Sequence, residues 1–199
     1  MPEGDTVWRA CQQLHSALAG KPLTRSEFRV PQLATTDLTG VSVVEVVARG
    51  KHQLLRFDND FTLHTHLRMG GSWRIYQRDA PWSGGRAFQI RVVLGTEERN
   101  VIGYRLPVVE MVATADEESV VGHLGPDLLG PDVDLAEVVR RVSAQPGRTI
   151  GEALLDQRNL PVSARSTALK CCSCKGSILV LRFKTSPTWP GSASGPSSC

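Results

Sequence analysis

The feature that most constrains the fold is a series of short strand-like segments between positions 41 and 113, beginning with Val41–Val47, which is dense in β-branched residues. Glycine, proline or polar turns such as Asp58-Asn59-Asp60 separate these segments. The intervals are too short for crossover helices, so the pattern favours an antiparallel sandwich or barrel over βαβ units. The predicted strands are Val41–Val47, His52–Phe57, Phe61–Leu67, Ser72–Gln77, Ala87–Leu94, Val101–Arg105 and Val108–Ala113.

Helical periodicity flanks this region on both sides. Thr6–Leu18 predicts an amphipathic helix, and Asp134–Ser143 and Thr149–Gln157 predict two more after a glycine- and proline-rich linker. We therefore expect an α+β fold, with an N-terminal helix on an antiparallel β-sandwich and the start of a helical domain behind it. The predicted domains are 1–124 and 125–160, followed by a tail at 161–199. The apolar stripe of the first helix consists of Val7, Cys11, Leu14 and Leu18.

Charge and cysteine are distributed unevenly along the chain. Residues 1–159 hold 18 Lys and Arg and all 20 Asp and Glu, whereas residues 160–199 hold 5 Lys and Arg and no acidic residue. No apolar run is long enough to span a membrane, and the acidic start does not resemble a secretory signal. We expect a cytoplasmic monomer without a membrane partner. Cysteine is concentrated in the tail, at Cys171, Cys172, Cys174 and Cys199.

The second and third residues carry a possible nucleophile and a possible acid. If Met1 is removed, Pro2 presents a secondary amine, and an α-amino group titrates at about 7.7–8.0. Such an amine can attack a sugar C1′ and leave an iminium, while the adjacent carboxylate of Glu3 can transfer the protons required. Taken alone, however, a proline at position 2 more often only protects the terminus.

Five segments of the chain form an ordered set of motifs: 1–7, 49–52, 64–73, 124–127 and 150–157. In their order and spacing they resemble the formamidopyrimidine-DNA glycosylase/endonuclease VIII family, in particular its endonuclease VIII-like branch. The resemblance covers roughly residues 1–160. It implies a bifunctional DNA glycosylase and abasic-site lyase of base-excision repair, with damaged DNA as partner and no dissociable cofactor.

The resemblance assigns roles to five residues. It makes Pro2 the Schiff-base nucleophile and Glu3 the acid and base that opens the deoxyribose ring. Lys51 matches a lysine beside the lesion phosphate that supports strand cleavage, and His66 matches a phosphate contact. Met69 matches the apolar residue inserted where the flipped nucleotide leaves the stack. The structural alternatives are a solvated hairpin lysine, a strand histidine and a core methionine.

The match ends at the lead-in to the family's helix–two-turn–helix, so this second domain is expected to be incomplete. Restoring one base before the codon of Pro161 permits the family's Gly-x-Gly, Tyr, Glu and Leu-Phe in register, which suggests a frame shift after Leu160. The tail is then out of frame and expected to be disordered. Its cysteines include only one C-x-x-C pair, and no metal site is predicted.

Two other hypotheses remain open at this point. The chain could be a catalytically impaired remnant of such an enzyme that binds DNA weakly or not at all. It could also be a β-rich interaction domain, although this leaves the segments around Pro2, Lys51 and His66 unexplained.

Overall fold

The computed structural model describes residues 4–126, 134–144, 147–149, 152–153 and 156–159. Pro2, Glu3, the cysteines of the tail and the predicted 161–199 segment lie outside these residues. Three α-helices are described: α1 (Gly4–Leu18), α2 (Glu118–Val121) and α3 (Leu135–Ser143). The eight strands are β1 (Arg25–Phe28), β2 (Val43–Arg49), β3 (His52–Phe57), β4 (Phe61–His66), β5 (Ser72–Gln77), β6 (Ile90–Gly95), β7 (Arg99–Tyr104) and β8 (Val108–Ala113).

The strands form two four-stranded antiparallel sheets. The first sheet has the order β2-β3-β4-β8, and the second has the order β1-β6-β7-β5. Arg49 pairs with His52 and His52 pairs with His66, so three chain segments meet at one end of the first sheet. This end, where the turn containing Lys51 lies, is called the Lys51 end below. The expected α+β architecture with an antiparallel sandwich is confirmed.

The main core lies between the two sheets and α1. The predicted apolar stripe of α1 is fully buried, with every member no more than 1% exposed. Burial of such side chains is the main stabilising term for the sandwich. In β2 a bulge at Val44 lets both Val43 and Val46 face this core, although three positions separate them. The other buried contributors include Leu55, Phe57 and Leu63 from the first sheet and Val92, Leu94 and Val101 from the second.

Helix α1 runs antiparallel to β2. The amide of Gly20 donates to the carbonyl of Val43 over 2.8 Å, and the amide of Val46 donates to Nδ1 of His15 over 3.2 Å. From His15 the helix extends about 16 Å back to Gly4, while β2 extends about 13 Å from Val46 to its final turn. The start of α1 therefore lies at the Lys51 end of the first sheet.

A second layer covers the outer face of the first sheet. The segment after β8 folds back over it, and Val121 and Leu124 pack on Leu54. Glu117 is held there by two hydrogen bonds of 2.7 Å from Arg56, whose guanidinium also contacts Glu45. Within the described part of the chain, no helix combines the length and apolar character needed to cross a bilayer.

The described residues beyond 126 begin with α3, which Asp134 caps by accepting from the amide of Glu137 over 3.0 Å. The predicted helix at 149–157 is described only in part. Its first turn has the reciprocal bonds of a capping box: Thr149 donates to the Glu152 carboxylate, and the Glu152 amide donates to the Thr149 hydroxyl. The amide of Gly125 donates to the carbonyl of Gln157 over 2.9 Å. This bond joins the predicted linker to the end of that helix.

Candidate functional site

Lys51 lies in the tight turn between β2 and β3. Because Arg49 pairs directly with His52, only Gly50 and Lys51 form the loop. Gly50 has φ +60°, the conformation that glycine adopts readily at the first loop position of a type II′ hairpin. The Lys51 side chain is half-buried. The short loop thus fixes the backbone of Lys51 at the edge of a sheet while its side chain reaches solvent.

His66 ends β4 on the same side of the sheet as His52. Its Nδ1 accepts a hydrogen bond of 3.0 Å from the amide of Arg68. Burial lowers the pKa of His66, and the nearby charges of Arg68, His64 and Lys51 lower it further. A neutral ring that accepts at Nδ1 carries its proton on Nε2. In the described part of the chain nothing accepts a hydrogen bond from this Nε2, so it is available to donate to a ligand.

Met69 projects from the turn that follows His66. Its side chain is 77% exposed, so the interpretation of Met69 as a core methionine is wrong. Arg68 has φ +43°, a left-handed conformation that is costly for a residue with a Cβ. The amide of Gly71 donates to the carbonyl of Leu67, and a Cβ on Gly71 would lie 2.7 Å from that oxygen. The close approach requires glycine, and the turn holds Met69 outward.

A chain of polar side chains lies behind these residues on the outer face of the sheet. Nδ1 of His52 is 2.8 Å from Nε2 of His64, and Nδ1 of His64 is 3.2 Å from Oε2 of Glu110. The ring of His52 also meets the rings of His66 and His123 edge-on, at centroid distances of 4.9 and 5.7 Å. Burial and these three imidazoles lower the pKa of His52 to about 3.

Sequence reasoning did not identify His52, His64 or Glu110 as part of the site. One signal was present: His64 and His66 are two positions apart in a strand and therefore lie on one face. Glu110 could not be recognised without the register, which pairs it with His64 across β4 and β8.

The fold brings most of the predicted site together. Lys51, His66 and Met69 all lie at the Lys51 end, and the start of α1 lies there too. Pro2 and Glu3 immediately precede Gly4 in the chain but are outside the described residues. Among the residues that are described, no group of three or more His, Cys, Asp or Glu side chains is arranged to hold a metal ion.

A family model matches the N-terminal part of the chain. The model of the formamidopyrimidine-DNA glycosylase N-terminal domain matches residues 1–105, just over half of the chain. The chain belongs to the formamidopyrimidine-DNA glycosylase/endonuclease VIII family. The matched region contains Lys51, His66 and Met69, and it also contains Pro2 and Glu3.

Two relatives align with about four fifths of this chain. A probable endonuclease 8 2 of Streptomyces coelicolor is 59% identical over 160 residues, which are 80% of this chain and 58% of that protein. The DNA-(apurinic or apyrimidinic site) lyase Nei2 of Mycolicibacterium smegmatis is 43% identical over 159 residues, 79% of this chain and 60% of that protein. The chain thus spans about three fifths of the length of these relatives.

Solved structures share the fold. The formamidopyrimidine-DNA glycosylase of Lactococcus lactis, crystallised with DNA containing an abasic site, superposes with a TM-score of 0.63 at 22% identity. The superposition covers 80% of this chain and 63% of the other. At this level of identity the similarity establishes the architecture, which is the N-terminal helix with two antiparallel sheets.

Proposed function

We propose that this chain acts in base-excision repair as a bifunctional DNA glycosylase and abasic-site lyase on oxidised bases. The observation that carries the proposal is the antiparallel course of α1 along β2. It brings the start of α1 to the end of the sheet where Lys51, His66 and Met69 lie. Pro2 and Glu3 directly precede this helix in the sequence. A lysine and a histidine can contact DNA phosphates, a lysine can support cleavage at the sugar, and an exposed methionine can insert between bases.

The proposed chemistry begins at the N-terminal amine. After removal of Met1, Pro2 attacks C1′ of the damaged nucleotide and the base departs with the electron pair of its bond to C1′. The proline nitrogen is then bonded to C1′, and breakage of the C1′–O4′ bond opens the sugar ring and gives an iminium. Glu3 transfers the protons that opening of the deoxyribose ring requires. Lys51 supports the elimination that cleaves the strand on the 3′ side. No dissociable cofactor takes part in these steps.

Two residues are proposed to hold the DNA around that reaction. His66 donates from Nε2 to a phosphate oxygen, consistent with its lowered pKa and with Nδ1 already occupied by Arg68. Met69 enters the space that the flipped nucleotide leaves in the stack, because an enzyme that acts on a base must extrude it. Its exposed position in the turn after His66 suits this role.

Borohydride trapping on duplex DNA with an abasic site tests the proposal. Reduction of the iminium joins protein and DNA covalently, so the unmodified chain should give a trapped species. Pro2→Gly should abolish trapping, because the glycine amine lacks the ring geometry of proline. Full trapping with Pro2→Gly combined with loss in Lys51→Ala would move the nucleophile to Lys51 and disprove the assignment.

The second candidate function is a non-catalytic DNA-binding protein of the same family. The observation in its favour is that the matched region covers only 58–60% of the relatives described above. The affinity of a protein for DNA depends strongly on the number of phosphates that it contacts. Absence of trapping at high protein concentration, with the chain shown to be folded, would favour this candidate.

A further inference from the structure

Three side chains on adjacent strands form a hydrogen-bonded chain to which no role has yet been given. His52 on β3, His64 on β4 and Glu110 on β8 share the outer face of the first sheet. The N···N contact of 2.8 Å between the two rings is shorter than a van der Waals stacking distance. Their planes differ by 18°, and their centroids are 5.0 Å apart, much farther than the two nitrogens. The two nitrogens therefore lie between the ring centres, and the rings meet edge to edge rather than face to face.

The order of protons along this chain follows from the chemistry of its members. A carboxylate only accepts hydrogen bonds, so Nδ1 of His64 donates to Glu110. In a neutral His64, Nε2 then carries the lone pair and accepts from Nδ1 of His52. In that state the single proton of His52 is on Nδ1, and its Nε2 is left unprotonated. Within the described residues, no donor forms a hydrogen bond to that Nε2.

A metal ion does not account for the same arrangement. Two nitrogen ligands of one ion both direct their lone pairs at the metal, whereas Nδ1 of His52 and Nε2 of His64 face each other across 2.8 Å. A contribution to stability does not account for it either. The Glu110 side chain is 55% exposed, and ion pairs or hydrogen bonds at such positions add little to folding.

The location of His52 points instead to the candidate site. His52 directly follows Lys51 in the two-residue hairpin, so a fixed His52 ring anchors the turn that carries the lysine. The same ring meets His66 edge-on, with 83° between the planes and 4.9 Å between centroids. Burial and the neighbouring imidazoles keep His52 neutral by lowering its pKa to about 3.

We propose that Glu110 and His64 are positioning residues that hold His52 with its proton on Nδ1, and that this fixed ring orients Lys51 and His66 toward the DNA backbone. The role of the ring in orienting Lys51 and His66 rests on the proposed function, whereas the position of the proton on His52 can be tested without any activity. Displacement of a catalytic group by about 1 Å can cost about a hundredfold in rate. Loss of one member of the chain, which loosens the site without removing it, should cost about tenfold.

The first test is spectroscopic and uses the whole chain. Protonated and unprotonated ring nitrogens differ widely in ¹⁵N chemical shift, so the histidine spectrum reports the tautomer of His52. The unmodified protein should show His52 protonated on Nδ1. Glu110→Ala should mix the two tautomers, whereas Glu110→Gln should preserve the original one because its amide oxygen still accepts. Glu118→Ala, which removes another exposed glutamate, is the control and should change nothing.

The second test measures strand cleavage of abasic-site DNA in single turnovers by the same variants. Glu110→Ala should slow cleavage about tenfold, and Glu110→Gln should restore it to within about twofold. Unchanged His52 shifts in Glu110→Ala, or a proton on Nε2 of His52 in the unmodified chain, would overturn the proposal. Absence of cleavage by the unmodified protein would instead refute the proposed function, while the spectra would still decide the proton assignment.

Discussion

The amide of Arg68 donates to Nδ1 of His66 over 3.0 Å, and this bond couples the conformation of a turn to the protonation of a ring. Arg68 adopts φ +43° in making it, and the same turn leaves Met69 exposed. A change in the turn would therefore disturb both the N–H that His66 offers and the position of Met69. The two contacts proposed for DNA form one structural unit.

Replacement of Lys51 should separate base release from strand cleavage. In the proposed mechanism Pro2 forms the covalent bond and Lys51 supports the elimination, so Lys51→Ala should keep borohydride trapping but slow cleavage by about 10²-fold or more. Gel analysis of abasic-site DNA in single turnovers measures both. Lys21→Ala is the matched control, because Lys21 hydrogen-bonds to Val43 at the opposite end of β2 and pairs with Glu98. Equal losses in the two variants would exclude a specific role for Lys51.

Replacement of Glu3 by glutamine should suppress base release without affecting the fold. The amide cannot exchange the proton that ring opening requires, and the loss should be on the order of 10²- to 10⁴-fold. Asp5→Asn removes a carboxylate two residues away, where Asp5 accepts from the amide of Thr6 at the start of α1. That variant should release base at a rate within about twofold of the unmodified chain. Wild-type rates for Glu3→Gln would remove Glu3 from the mechanism.

The sequence predicted those strands whose own residues carry a clear apolar pattern. The boundaries predicted for His52–Phe57, Ser72–Gln77 and Val108–Ala113 match β3, β5 and β8. Strand β1 was missed because Arg-Ser-Glu-Phe has almost no apolar alternation. It forms through backbone pairing with β6 at the edge of the second sheet. Such pairing does not require a particular pattern of side chains.

The predicted strand Ala87–Leu94 began too early. Residues Ala87–Gln89 form a 3₁₀ turn, in which the Gln89 side chain accepts from the amide of Arg86 over 3.0 Å. Hydrogen bonding of a side chain to the local backbone competes with strand formation, and apolar content alone does not reveal it. The polar chain behind the site was missed for a different reason, because its contacts depend on strand register.

Stability should fall as the pH falls below about 6.5. The pKa of His52 is about 3 in the folded chain, whereas an unfolded histidine titrates near 6.5, so between these values only the unfolded state takes up this proton. The lowered pKa of His66 also reduces the stability of the folded chain as the pH falls. Uptake of one proton by the unfolded state alone lowers the unfolding free energy by about 1.4 kcal/mol per pH unit. Partial exposure of the His52 ring reduces this change to roughly 0.5–1 kcal/mol per pH unit.

Urea unfolding at pH 7 and pH 5 measures this dependence. His52→Leu should show a shallower loss of unfolding free energy between these values than the unmodified chain, because it removes the larger contribution. Equal slopes for the two proteins would show that His52 does not remain neutral in the folded state.

Met69→Ala should weaken base extrusion while leaving stability unchanged. Because 77% of the side chain is exposed, truncation should alter the unfolding free energy by less than about 0.5 kcal/mol. The side chain is proposed to fill the gap in the DNA stack, where unstacking costs a few kcal/mol. Its loss should slow base release roughly tenfold, equivalent to about 1.4 kcal/mol.

A fluorescent base analogue beside the lesion, whose emission rises on unstacking, measures the extrusion for which Met69 is proposed. Phe88→Ala provides the matched control, since Phe88 is 68% exposed but lies in the 3₁₀ turn before β6, in the second sheet. Both variants should melt like the unmodified chain, and only Met69→Ala should reduce the emission. If Met69→Ala extrudes and releases the base at the unmodified rate, the turn after His66 does not insert into DNA. The exposure of Met69 would then need another explanation.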